Sequence, residues 1–146
     1  MTVYLASCGD YEFSAVRKAI DNLLGSQEIS SKIPRGGSVL LKTNLLSATK
    51  GPEKPVNTHP CILRAAAEIL IDKYNCQVWI GDSSNSFSGH STNEAFTNMG
   101  LDRLAEELGL KLIDFNKDIT KRISISGSSV WSSVNVCESV FKADLV

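Results

Sequence analysis

The spacing of apolar residues alternates between two periods along the first two thirds of this chain. Phe13, Val16, Ile20, Leu23 and Leu24 recur every third or fourth position with Arg17, Lys18 and Asp21 between them, which predicts an amphipathic helix closed at Gly25. Ile62, Leu63, Ala66, Leu70 and Tyr74 repeat the pattern after Pro60, a residue that suits a first helical position because its missing N–H loses no internal bond there. Between and after these helices lie short continuous apolar runs, Val39-Leu40-Leu41, Val78-Trp79-Ile80 and Leu112-Ile113, as expected of buried strands. Thr2-Val3-Tyr4-Leu5-Ala6 reads as a further short strand ending in the turn formers Cys8-Gly9-Asp10. Ser91 and Glu94 have the spacing of a capping box, and the helix over 101–108 stops at Gly109.

The tail follows a different rule. Arg122-Ile123-Ser124-Ile125 and Val130-Trp131-Ser132-Ser133-Val134 alternate around Gly127, which predicts an antiparallel pair. A short helix over 135–142 should follow. The strand–helix–strand rhythm before it predicts a Rossmann-like α/β fold: a mostly parallel sheet flanked by helices, with strands near Val3, Val39, Val78 and Leu112 and a small antiparallel element near the C-terminus. Residues 1–146 read as a single α/β domain. The apolar run at Leu145-Val146 breaks off as a strand begins, so the sequence is expected to be the N-terminal portion of a longer protein.

Composition narrows the partners. With 42% apolar residues the chain can build a core, and fifteen basic against sixteen acidic residues leave a net charge of -1. No basic block suggests nucleic acid or an anionic membrane surface, and no apolar stretch is long enough to span a bilayer. Cys8, Cys61, Cys76 and Cys137 are too dispersed for a disulfide framework or a self-contained iron–sulfur centre. Without a secretory leader at the N-terminus, a cytoplasmic protein is the expectation.

Two polar segments leave the predicted strand ends, where open α/β sheets bind ligands. The first runs over 42–58. Lys42 is suited to a phosphate or carboxylate and Asn44 to orienting a ligand; otherwise Lys42 snorkels and Asn44 caps a turn. The connection is longer than an ordinary loop, so a binding role or a small excursion of the chain is expected. His59 stands at a helix start, a place favourable to anions, and is read either as a site residue or as a packing residue. His59 and Cys61 alone make a poor metal pair, so no metal site is assigned.

The second segment runs from Gly81-Asp82-Ser83-Ser84 through Phe87 and Gly89 to His90, and it matches neither common phosphate-loop pattern. Asp82 can hold a cation, orient His90 or accept a ligand hydroxyl, or it caps its own turn. Ser83 and Ser84 can add hydroxyl contacts. Cys8 as a nucleophile and Asp114 as a strand-end carboxylate are weaker candidates.

Several stretches together resemble the DUF362 family: Val39-Leu40-Leu41-Lys42-Thr43-Asn44-Leu45-Leu46, Val56-Asn57-Thr58-His59-Pro60, Val78-Trp79-Ile80-Gly81-Asp82-Ser83, Met99-Gly100-Leu101 through Leu108-Gly109, and Ala143-Asp144-Leu145-Val146. The resemblance supports Lys42, Asn44, His59 and Asp82 as site residues. It gives Asn57 no special role, because that position varies in relatives. It also implies a downstream Lys-Thr-His-type segment and, in many relatives, a ferredoxin-like domain. Any iron–sulfur cluster would then belong to that missing part, with no cofactor in this fragment.

The resulting expectation is an enzyme-like domain that binds a small anionic substrate or cofactor, with a redox pathway and a redox partner as one branch. Lys42, Asn44, Ser83 and Ser84 would bind the ligand and His59 or Asp82 would move a proton. The alternative is a non-catalytic ligand-binding or protein-interaction module, with self-association as a further expectation. A third reading makes the polar loops purely structural connections.

Overall fold

The structure is a computed structural model that describes residues 2–84 and 90–146. Helix α1 (Phe13–Leu24) begins where the Glu12 carboxylate accepts the Ala15 N–H at 3.0 Å, and it ends at Gly25. A single turn, α2 (Gln27–Ser30), leads to strand β1 (Ser38–Lys42). After a long loop comes α3 (Pro60–Tyr74), with Pro60 in its first turn as expected. Asn75 closes α3 in the left-handed conformation at φ 56°, a cap that satisfies the last carbonyls. Strand β2 (Gln77–Asp82), helices α4 (Thr92–Asn98) and α5 (Leu101–Leu108), and strand β3 (Lys111–Asp114) complete the main layer. Ser91 and Glu94 form the capping box of α4, and Gly109 ends α5 at φ 66°.

The three strands form one parallel sheet in the order β1-β2-β3, so chain order is also spatial order. Their registers align Leu41, Ile80 and Leu112 on one face and Leu40, Trp79 and Lys111 on the other. The first face is covered by helices. Ile80 packs with Leu63, Phe96, Leu101 and Leu104, while Val39 and Val78 pack with Ala67, Leu70 and Tyr74. Helix α1 lies outside α3 and is tied to it by charge: Arg17 bonds Asp72 at 2.9 Å and Lys73 bonds Asp21 at 2.6 Å. Arg64 extends that set to Glu68 at 2.9 Å and to Glu107 on α5. These pairs are largely exposed and contribute modestly, about 0–1 kcal/mol each; the apolar faces beneath them supply most of the attraction.

The tail forms the expected antiparallel pair with shifted ends, β4 (Thr120–Ser124) against β5 (Ser133–Cys137), followed by α6 (Glu138–Lys142). Val130 and Trp131 thus fall in the connection rather than in a strand. The terminal apolar run does reach the sheet. Leu145 bridges to Val39 in parallel, with its carbonyl accepting the Leu40 N–H at 2.9 Å.

The expected strand near Val3 does not form. Residues 2–7 carry no strand, and Val3 and Leu5 are 74% and 90% exposed. The outward edge of β1 is taken at its start by Leu145, so the N-terminal segment has no ladder to join there, and five residues of alternating pattern cannot hold a strand alone. Among the described residues no helix is long and apolar enough to cross a membrane.

Gly81 shows how closely the second sheet face is packed. A Cβ at this position would lie 2.5 Å from the Phe115 ring and 3.2 Å from Leu40. Gly81→Ala is therefore expected to destabilise the fold by roughly 1–3 kcal/mol through overpacking. Urea unfolding checks this; an unchanged midpoint would mean that the Phe115 ring yields without cost.

Candidate functional site

The registers bring the two polar segments together at the carboxyl ends of β1 and β2. Lys42 is the last residue of β1 and Asp82 the last of β2, and the Lys42 Nζ lies 2.6 Å from Asp82 Oδ1. The Asp82 side chain is only 6% exposed, whereas that of Lys42 is 49% exposed. The Lys42 ammonium also donates to the Thr43 carbonyl. The other Asp82 oxygen, Oδ2, accepts the backbone N–H of Leu45, the first apolar anchor of the long loop. One buried carboxylate thus binds both a strand-end cation and the loop that leaves the neighbouring strand.

The loop over 43–59 is folded on itself. The Asn44 N–H donates to Thr58 Oγ1 at 3.0 Å, and the Asn44 carbonyl accepts the Thr58 N–H at 2.8 Å. Asn44 Nδ2 donates to the Val56 carbonyl at 3.3 Å, so its side chain closes the loop base beside Lys42. Asn57 does more than the sequence suggested. Its Oδ1 accepts the Ser47 N–H at 3.0 Å, while Nδ2 donates to the carbonyls of Ser47 at 2.8 Å and Lys50 at 3.0 Å. This buried amide supplies the loop's missing backbone partners, as a polar segment without its own ladder requires. Its signal in the sequence was an amide placed just before Thr58-His59-Pro60, which is weak by itself.

His59 is held elsewhere. It is the N-cap of α3, where Nδ1 accepts the Cys61 N–H at 3.2 Å, and its ring stacks on Tyr11 at 3.8 Å with 12° between the planes. No hydrogen bond or ion pair joins it to Lys42 or Asp82 among the described residues. Burial lowers the His59 pKa, so the neutral ring persists. Tyr11 lies 48 residues away by number (59 − 11), and no local pattern announced this contact.

Ser83 is exposed at the strand end, and Ser84 is buried with its N–H donated to Thr92 Oγ1 at 3.2 Å. Asp114 is the register partner of Asp82 on β3, and its Oδ1 accepts the Asn116 N–H at 3.0 Å. His90 lies 3.7 Å from Glu94 on α4, away from these groups in bonding terms. Phe87 and Gly89 lie outside the described residues. Cys8 is exposed and donates to the Asp10 carbonyl at 3.2 Å. Burial raises the pKa of Cys61, with the charge of Glu12 acting in the same direction, so its thiol is a poor nucleophile. A cavity of about 470 Å³ lies along α1, lined by Cys8, Asp10, Tyr11, Val16 and Ile62 among others; none of Lys42, Asn44, His59 or Asp82 lines it.

A family model described as a domain of unknown function, DUF362, matches residues 39–146, which takes in every strand-end residue above. No curated protein and no solved structure matches the chain.

The placement of His59 has a consequence for stability. A His whose folded pKa is depressed lends stability above its unfolded value and loses it as pH falls through the lowered folded value. The His59 contribution should therefore be complete above its ordinary value of 6.5 and fall away in more acidic solution. Protonation would also convert Nδ1 from an acceptor of the Cys61 N–H into a donor. His59→Asn retains an N-cap acceptor and should flatten this part of the profile. Urea midpoints measured across mildly acidic pH check the expectation; an identical acid slope in both proteins would contradict it.

Proposed function

We propose that this chain, which belongs to the DUF362 family, binds a small anionic substrate or cofactor at the carboxyl edge of its parallel sheet, with Lys42 as the principal cation. One observation carries the reading: the ammonium of a half-exposed lysine is anchored by a nearly buried carboxylate at the ends of β1 and β2. Such an anchor, together with the bond to the Thr43 carbonyl, holds the cation in place and leaves its third N–H for a ligand. The site also lies where open α/β sheets present ligands. Asn44 closes the loop beside Lys42, and Ser83 offers an exposed hydroxyl.

Asp82 acts first as a positioning residue, because both its oxygens are already engaged. Proton transfer by Asp82 or His59 is the enzymatic branch of this proposal. For His59 it requires a ligand that reaches from the strand ends to the start of α3. A cytoplasmic setting suits the four free thiols, and a redox partner belongs to the same branch. A second reading, a protein-interaction module, draws on the β4–β5 ribbon and α6, where Ile125, Val134 and Phe141 leave apolar surface exposed. A time-dependent chemical change in a bound small molecule would separate enzyme from binder.

Calorimetric titration with inorganic phosphate, in buffer containing EDTA, tests the anion site. Lys42→Gln keeps much of the side-chain stem and removes the charge, so it should weaken binding by roughly 1.5–3 kcal/mol, the scale of a charge-assisted hydrogen bond. Circular dichroism controls for folding. Equal affinity in the two proteins, or no phosphate binding in either, would reject Lys42 as an anion ligand.

A further inference from the structure

We propose that Asp82 and Asp114 jointly bind one divalent cation of the Mg²⁺ or Mn²⁺ class, with the Thr43 hydroxyl as a neutral oxygen ligand, and that this cation displaces Lys42 and releases its ammonium toward the anion. The two carboxylates are register partners on adjacent parallel strands, so they leave the same sheet face side by side. Their side chains are only 6% and 8% exposed. Two like charges in so little water require a countercharge. Here it comes from lysines whose own side chains are mostly in solvent: Lys42 is 49% exposed and Lys117 is 64% exposed. Lys117 approaches Asp114 Oδ2 only to 3.7 Å, beyond hydrogen-bond reach. Either ammonium can be replaced as the countercharge by a bound cation.

Thr43 provides the independent observation. Its N–H donates to the Gly81 carbonyl at 3.1 Å, which carries the β1–β2 ladder one residue further and sets the Thr43 side chain on the same face as Asp82. Thr43 is 3% exposed, yet among the described residues Oγ1 has no hydrogen-bond partner. Ser84, also 3% exposed and two residues beyond Asp82, likewise has a hydroxyl with no partner among the described residues. Buried hydroxyls without partners are uncommon and call for a ligand or water. The proposed ligands are all oxygens, a set that favours Mg²⁺ or Mn²⁺ over zinc; the thiol of Cys137, near these strand ends, donates to the Phe115 carbonyl at 3.5 Å. Among the described residues no group of three or more His, Cys, Asp or Glu is poised for a metal. Two carboxylates nevertheless match the protein share of a Mg²⁺ shell completed by waters and an anionic oxygen.

This proposal rests on the strand-end reading above, because the two share Lys42 and Asp82, but it can fail separately. Mn²⁺ is titrated alone, with no anion present, and free metal is followed by electron paramagnetic resonance. The wild-type protein should take up one Mn²⁺ per chain, displaceable by excess Mg²⁺. Asp114→Asn should weaken uptake roughly tenfold or more. Thr43→Val keeps the shape of the side chain and removes only the hydroxyl; it should weaken uptake severalfold, and it remains informative if Asp114→Asn fails to fold. Absence of stoichiometric Mn²⁺ at millimolar concentration would overturn the proposal, as would uptake indifferent to both substitutions. Neither result would touch the phosphate titration in EDTA, which reads Lys42 without metal.

Discussion

A carboxylate with almost no contact to water must have both oxygens satisfied, and the arrangement of the strand ends follows from how Asp82 meets that demand. One oxygen takes the Lys42 ammonium from the neighbouring strand and the other takes the Leu45 N–H from the loop. Removing the Lys42 ammonium would leave buried charge uncompensated, and losing the Leu45 N–H would leave a buried oxygen unsatisfied; each costs more than the loss of a surface pair. The loop is therefore docked where β1 ends, and Leu45 is delivered into the core beside Ile80 and Leu63. Packing and electrostatics meet at this residue: the same bond that satisfies Asp82 seats a Leu that is 1% exposed.

Further along the loop, amide side chains replace the missing ladder. Asn57 bonds three backbone groups from Ser47 and Lys50, and Asn44 and Thr58 close the base through two bonds. A long connection usually implies high conformational freedom. Here the backbone is pinned at several points, so Lys42 and Asn44 stand on a firm support even though they lie at the surface. Preorganisation of this sort favours ligand binding because less ordering remains to be done on association.

His59 does a different job from the strand-end pair. It caps α3 and stacks on Tyr11, and the Tyr11 carbonyl in turn accepts the Cys61 thiol at 3.4 Å. The segment before α1 is thereby fastened to the start of α3, while Arg17–Asp72 and Asp21–Lys73 fasten the two helices along their lengths. For the imidazole to take part in chemistry at the strand ends, it would have to give up a stack and a cap. Its lowered pKa favours the neutral form, whose Nδ1 lone pair the cap requires.

Much of this was readable from residue order. Apolar period placed the helices over Phe13–Leu24 and Pro60–Tyr74, because one buried face imposes its spacing wherever the helix lies. The continuous runs at Val39, Val78 and Leu112 marked the strands, and the Ser91–Glu94 box and Gly109 marked helix ends by local bonding alone. The side-by-side placement of Lys42 and Asp82 followed once those strands were parallel, since parallel strands bring their carboxyl ends to one edge. What local pattern could not decide were contacts between distant segments. Thr2 to Ala6 had the composition of a strand but no free ladder where Leu145 sits, and strand formation depends on a partner rather than on propensity. Asn57 became a clamp, His59 found Tyr11, and Thr43 was buried with an unmatched hydroxyl, each through neighbours supplied only by the folded chain. Periodicity is a property of one segment and survives in the sequence; side-chain partnership belongs to two segments and exists only after they meet.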